Sequence, residues 1–120
     1  MDAKIRSFSD LIAWQKAHQL TVEIYQILNR FPKTELYGLT SQIKRAVISI
    51  AANIAEGFSR KTNKDKIQFY CVALGSLTEL QSHLVISRDL SFLNKESFQK
   101  IAISTIEVSK LVNSLIKNLK

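Results

Sequence analysis

The stretch "SIAANIAEGFSR", residues 49–60, carries Ser49, Asn53 and Glu56 among isoleucines and alanines. Spacings of four and three place these groups on one side of a helix, because residues three and four apart are neighbours on its surface. A hydroxyl, an amide and a carboxylate in one row can hold a ligand, bridge a helix junction, or simply form a wetted face. Extended in both directions, the row reads Gln42, Arg45, Ser49, Asn53, Glu56 and Arg60, all within an arc of roughly 80°.

Catalytic chemistry finds little else to work with. A di-iron site in a helix bundle needs inward carboxylates and two Glu-x-x-His pairs. This chain has only His18 and His83, and Glu79 precedes His83 by four residues rather than three. Magnesium-assisted hydrolysis on helices uses paired carboxylates, and here the acidic residues are scattered singly. There is no Gly-rich phosphate loop, the serines and Cys71 have no evident base, and a lone cysteine in a helix reads as a small hydrophobe of the core. The expectation is therefore no enzyme, no metal and no cofactor.

Cationic chemistry is better supplied. Lys44, Arg45, Arg60, Lys61, Lys64 and Lys66 lie between residues 44 and 66 against only Glu56 and Asp65, and the last turn adds Lys110, Lys117 and Lys120. With 17 Lys and Arg against 10 Asp and Glu, the formal charge is +7, which attracts polyanions and acidic surfaces. Lys44, Arg60, Lys61, Lys64 and Lys66 are the candidates for phosphate contact. The alternative is a solvated loop beside a helix C-terminus, where cations suit the dipole.

The elements that must position these groups are helices. Three Gly and one Pro in 120 residues starve the chain of the turns a many-stranded β fold requires. Periodicity predicts one domain of four helices over about 9–31, 35–58, 63–90 and 95–119. Ser7 or Ser9 caps the first, Thr34 the second and Thr62 or Asn63 the third, while the fourth begins after Asn94. Short connections make sequential helices antiparallel neighbours, giving an all-α, up-down-up-down four-helix bundle.

The first helix shows two apolar stripes, Leu11, Trp14, His18, Thr21, Tyr25 and Leu28 beside Ala13, Ala17, Leu20, Ile24, Ile27 and Phe31. Apolar residues of the second cover roughly 240° of its circumference. A helix of a monomeric bundle usually needs one stripe, so these wide faces hint at two partners. The third helix offers Ile67, Tyr70, Cys71, Leu74, Leu77, Leu84 and Val85 as a core face, and the fourth a heptad seam of Phe98, Ile101, Thr105, Val108, Val112, Leu115 and Leu119.

If the second and third helices form a hairpin centred near residue 62, positions whose numbers sum to about 124 share a height. Arg45 then faces Glu79, and Ser49 stands level with Gly75 and Ser76, a small pair that allows close approach. Arg45 is accordingly set apart from the phosphate candidates, and Asn53 and Glu56 are expected to meet partners at a helix or subunit junction. A lone Cys71, an N-terminus without an apolar signal core and no long uncharged apolar run indicate a cytoplasmic protein without a membrane span.

"FSDLIAWQKA" at 8–17, "FPKTELYGLTSQIKRAVISIAANIAEG" at 31–57 and "ALGSLTEL" at 73–80, in that order, resemble the bacterial four-helix-bundle proteins encoded within 23S ribosomal RNA intervening sequences. That family is similar to the accessory proteins of diversity-generating retroelements. The resemblance covers nearly the whole chain and implies a barrel-like homopentamer with a basic surface for RNA or DNA, and no catalysis. Its motif positions here are Leu11, Trp14, Gln42, Arg45, Ser49, Asn53, Glu56, Gly57, Ser76 and Glu79. Ala51 stands where many relatives have Pro, so the second helix is expected to run straighter. The expected function is an oligomeric helical scaffold that binds structured RNA or DNA. The alternative is an interaction module whose acidic protein partner, a polymerase or reverse-transcriptase-like enzyme, uses the same surface.

Overall fold

The computed structural model describes residues 4–120. Four α-helices form an elongated body of 45 × 28 × 19 Å: α1 (Ile12–Leu28), α2 (Leu39–Ser59), α3 (Asn63–Asp89) and α4 (Lys95–Asn118). No strand occurs among the described residues. α2 packs most extensively on α3, α1 lies against α2 and α4, and α3 against α4.

Where helices begin and end follows from backbone groups that must find partners. Phe8–Asp10 is a 3₁₀ turn rather than the start of the first helix, because the Asp10 carboxylate draws in the Arg6 and Ser7 N–H groups at 2.9 and 3.2 Å. α1 stops at Leu28, short of the expected residue 31, since Pro32 disfavours helical geometry in the residue before it. Lys33–Glu35 forms a second 3₁₀ turn, and Gly38 leaves helical space at φ −114°, ψ −114°. α2 therefore starts at Leu39, and the cap is Glu35, whose Oε1 accepts the Leu39 N–H at 3.2 Å, rather than Thr34.

Thr62 and Asn94 cap α3 and α4 through side-chain oxygens that accept from Asp65 N and Ser97 N at 3.1 and 2.7 Å. α3 ends in a Schellman motif, with Phe92 N bonded to Ser87 O at 2.9 Å and Ser91 N to Arg88 O at 3.0 Å. Ser91 takes the left-handed position at φ 65°, usually held by glycine. α2 runs unbroken through Ala51.

The core is a seam of Leu20, Ile24, Ile43, Ile50, Ile54, Leu77, Leu80, Leu84, Val108 and Val112. Of the two stripes of α1, the one through Ala13, Ala17, Leu20 and Ile24 is buried. The other stays partly open, with Trp14 stacked on exposed His18 at 5.1 Å. α3 departs from expectation: Cys71 and Val85 are exposed, while Ala73, Leu80 and Ser87 are buried. Spacings of three and four from Tyr70 through Ala73, Leu77, Leu80, Leu84 and Ser87 aim one narrow face inward, and the other two residues fall off it. The heptad seam of α4 is buried at Ile101, Thr105, Val108 and Val112, with Ile116 added; the Thr105 hydroxyl donates to Ala102 O and accepts from Gln81 Nε2 at 2.7 and 3.1 Å.

Gly57 lies in the last turn of α2, where a Cβ would stand 2.6 Å from Tyr70 Cε1 and 3.2 Å from Lys66 O. The glycine thus lets α2 and α3 meet beside their connecting turn. Gly75 has no such role: an added Cβ meets nothing within 4 Å, contrary to the expectation that it serves close approach.

Candidate nucleic-acid interface

The polar row of α2 divides into three local systems. Arg45 Nη2 donates to Glu79 Oε2 across to α3 and, at 3.0 Å, to Gln42 Oε1 on its own helix. His83 Nε2 stands 3.2 Å from the same Glu79 oxygen. One helical turn along, Ser49 Oγ and Ser76 Oγ meet at 2.8 Å, the second link between α2 and α3.

Asn53 and Glu56 find their partners within one turn along the chain rather than on another helix. The Asn53 amide donates back to Ser49 O at 2.8 Å and Ser49 Oγ at 3.0 Å. Glu56 Oε1 accepts from Arg60 Nη2 at 2.8 Å, a pair at i,i+4 near the helix end. Among the described residues neither reaches another helix, since short-range partners one turn away are already in place.

Within this row, Arg45 and Ser49 link α2 to α3. Arg45→Ala should lower stability by about 0.5–1 kcal/mol, the scale of a partly exposed ion pair, while leaving RNA affinity within about twofold. Urea unfolding and a binding titration on the same variant check both halves, and unaltered stability would remove the pair from any structural role.

The cations sort by place. Arg60, Lys61 and Lys64 are exposed around the turn that joins α2 to α3. Arg60 also lies over the Phe69 ring at 4.4 Å, which orients its guanidinium. Asn63 Nδ2 donates to Leu119 O at 3.2 Å, so the end of α4 sits beside this turn and brings exposed Lys117 and Lys120 to it. Glu56 and Asp65 are the nearby acids, the first held by Arg60 and the second in the first turn of α3.

Two expected members do not belong to this cluster. Lys66 is half-buried, and its Nζ donates to Phe58 O at 2.6 Å, capping a carbonyl near the C-terminus of α2. Lys44 lies near the start of α2, fifteen residues or about 22 Å of helix before its last residue, Ser59, and so far from the turn. Its Nζ rests 5.1 Å from the Tyr25 ring centroid instead. Lys117 and Lys120 were among the basic residues named from the sequence, but spacing alone did not bring them to this turn, because the Asn63 contact links residues far apart in the chain.

Among the described residues, no group of three or more His, Cys, Asp or Glu could hold a metal ion. None of the described helices is long and apolar enough to cross a membrane.

The chain matches the family described as 23S rRNA-intervening sequence protein over residues 9–114. It is also similar to a solved structure from Bacteroides thetaiotaomicron, described as a protein with unknown function from the S23 ribosomal protein family. The two share 26% identity and a TM-score of 0.79, over 88% of this chain and 99% of that one. No curated protein matches the chain.

Proposed function

Because the chain belongs to the family of 23S rRNA-intervening sequence proteins, we propose that it is a non-enzymatic, cytoplasmic, oligomeric scaffold that binds structured RNA or DNA through phosphates. The observation that carries this reading is the meeting of Arg60, Lys61, Lys64, Lys117 and Lys120 at one end of the helices. Five cations against two engaged carboxylates make a field that follows a phosphate backbone without reading bases.

The helices are taken as an antiparallel up-down-up-down bundle, a reading supported by the Arg45–Glu79 and Ser49–Ser76 links at mirrored positions about the turn. Assembly is supported by exposed apolar side chains in two different places. Ile12, Val22 and Ile48 lie on α1 and α2, and Val85, Ile103 and Ile106 on α3 and α4. Two unlike patches that cover one another make a head-to-tail contact, and such contacts close into rings when the rotation allows. A ring, pentameric if it follows what the resemblance implies, would repeat the basic end around its axis and strengthen its pull on a polyanion.

The test replaces Lys61, Lys64 and Lys117 together with alanine. Binding of a structured RNA should weaken and its salt slope should become shallower by about 2.7. Lys100→Ala, outside the cluster, should change neither. Equal slopes in all three proteins would contradict the reading, and binding of an acidic protein without RNA would assign the same end to an accessory role beside a polymerase or reverse-transcriptase-like enzyme.

A further inference from the structure

A cleft of about 360 Å³ opens where the end of α1, the following segment and the first turns of α2 meet, remote from the basic turn. Leu28, Phe31, Pro32 and Leu36 give it apolar walls. Thr40 lines it while being only 6% exposed, and its hydroxyl makes no hydrogen bond among the described residues yet is not sealed from the cleft. The hydroxyl is therefore free to bond a group that enters the cleft.

The charges point the same way. Lys33 and Lys44 both line the cleft, and among the described residues neither stands within 4.0 Å of a carboxylate. The Tyr25 ring holds the Lys44 ammonium at the wall. Two cations without a carboxylate partner, a hydroxyl open to the cleft, the Asn29 amide and apolar walls together describe a ligand with a flat apolar body, a hydrogen-bonding edge and an anionic phosphate group.

We propose that this cleft binds a nucleoside monophosphate unit, either free or as an unpaired nucleotide of a bound strand. The base occupies the apolar walls with its polar edge toward Thr40 and Asn29, and the phosphate sits with Lys33 and Lys44. Choosing a nucleotide over other aromatic anions rests on the nucleic-acid reading above. The capacity for an anion rests on the cleft alone.

The experiment follows amide chemical shifts of the full chain during titration with adenosine monophosphate, and in parallel with adenosine, inorganic phosphate and benzoate. Adenosine monophosphate should shift the amides around Asn29, Lys33, Thr40 and Lys44 saturably. Lys44→Ala, on a half-buried lysine with no carboxylate partner, should weaken binding about tenfold, and Thr40→Val about threefold. Lys61→Ala should leave this binding unchanged.

A single-stranded oligonucleotide that displaces the mononucleotide from these residues makes the unpaired strand the natural source. Failure to displace it makes the source the free nucleotide. No saturable shift at these residues, or inorganic phosphate or benzoate binding equally well, overturns the proposal. Loss of salt-dependent RNA binding at the basic end with the cleft still occupied would overturn only the reading in the previous subsection.

Discussion

Gly57→Ala should destabilise the chain by about 3 kcal/mol, although alanine is by about 1 kcal/mol the better helix former. The added methyl would lie 2.6 and 2.9 Å from Tyr70 Cε1 and Cδ1 and 3.2 Å from Lys66 O. The first two atoms belong to a buried ring and the third to backbone, so none yields cheaply. Relief requires moving α3 away from α2, which disturbs the most extensive helix contact in the molecule. For a chain of this size the melting temperature should fall by about 10 °C. A melting temperature equal to or above that of the parent would contradict the packing described.

The same variant has a spectroscopic readout. Burial pushes the Tyr70 phenol above its ordinary value of 10.0. The folded state therefore keeps its proton where the unfolded chain has lost it, so this contribution to stability is intact below pH 10.0 and is lost as pH rises through the folded value. A displaced ring in Gly57→Ala should titrate closer to the ordinary phenol.

The second large effect is the response of RNA binding to salt. Arg60, Lys61, Lys64, Lys117 and Lys120 give about five phosphate contacts, for which log affinity falls against log salt with a slope near −4. Raising salt from about 50 to about 200 mM should then weaken binding about 250-fold. Lys66 contributes nothing to this count because it is spent on Phe58 O, and Lys44 contributes nothing because of its distance along α2. A titration at four salt concentrations measures the slope, and a flat response would exclude a phosphate-based interface.

Much of the helical framework was legible because it depends on local rules. Thr62 and Asn94 carry oxygens that cap a following turn, and both do so. A hairpin centred near residue 62 was enough to set Arg45 opposite Glu79 and Ser49 level with Ser76, since register along two neighbouring helices follows from counting, while the bond between the two hydroxyls was not foreseen.

What was missed depends on groups that choose among several available partners. Thr34 was expected to cap the second helix, yet the Glu35 carboxylate caps it from outside, because the helix starts only after Gly38. Asn53 and Glu56 take partners within one turn rather than on a neighbouring helix of the same chain. Cys71 looked like core by type, but the inward face of α3 is narrower than its apolar content. The cleft at Thr40 had no sequence signal at all, since it exists only where residues 31–36 fold over the start of α2.

The central claim, an oligomer that engages RNA through repeated basic ends, is tested most directly by the light-scattering mass of the protein at low and moderate salt, with and without a structured RNA. A mass of several chains at both salts, increased by RNA at low salt alone, is the expected result. The mass of a single chain, unaffected by RNA at either salt, would contradict it.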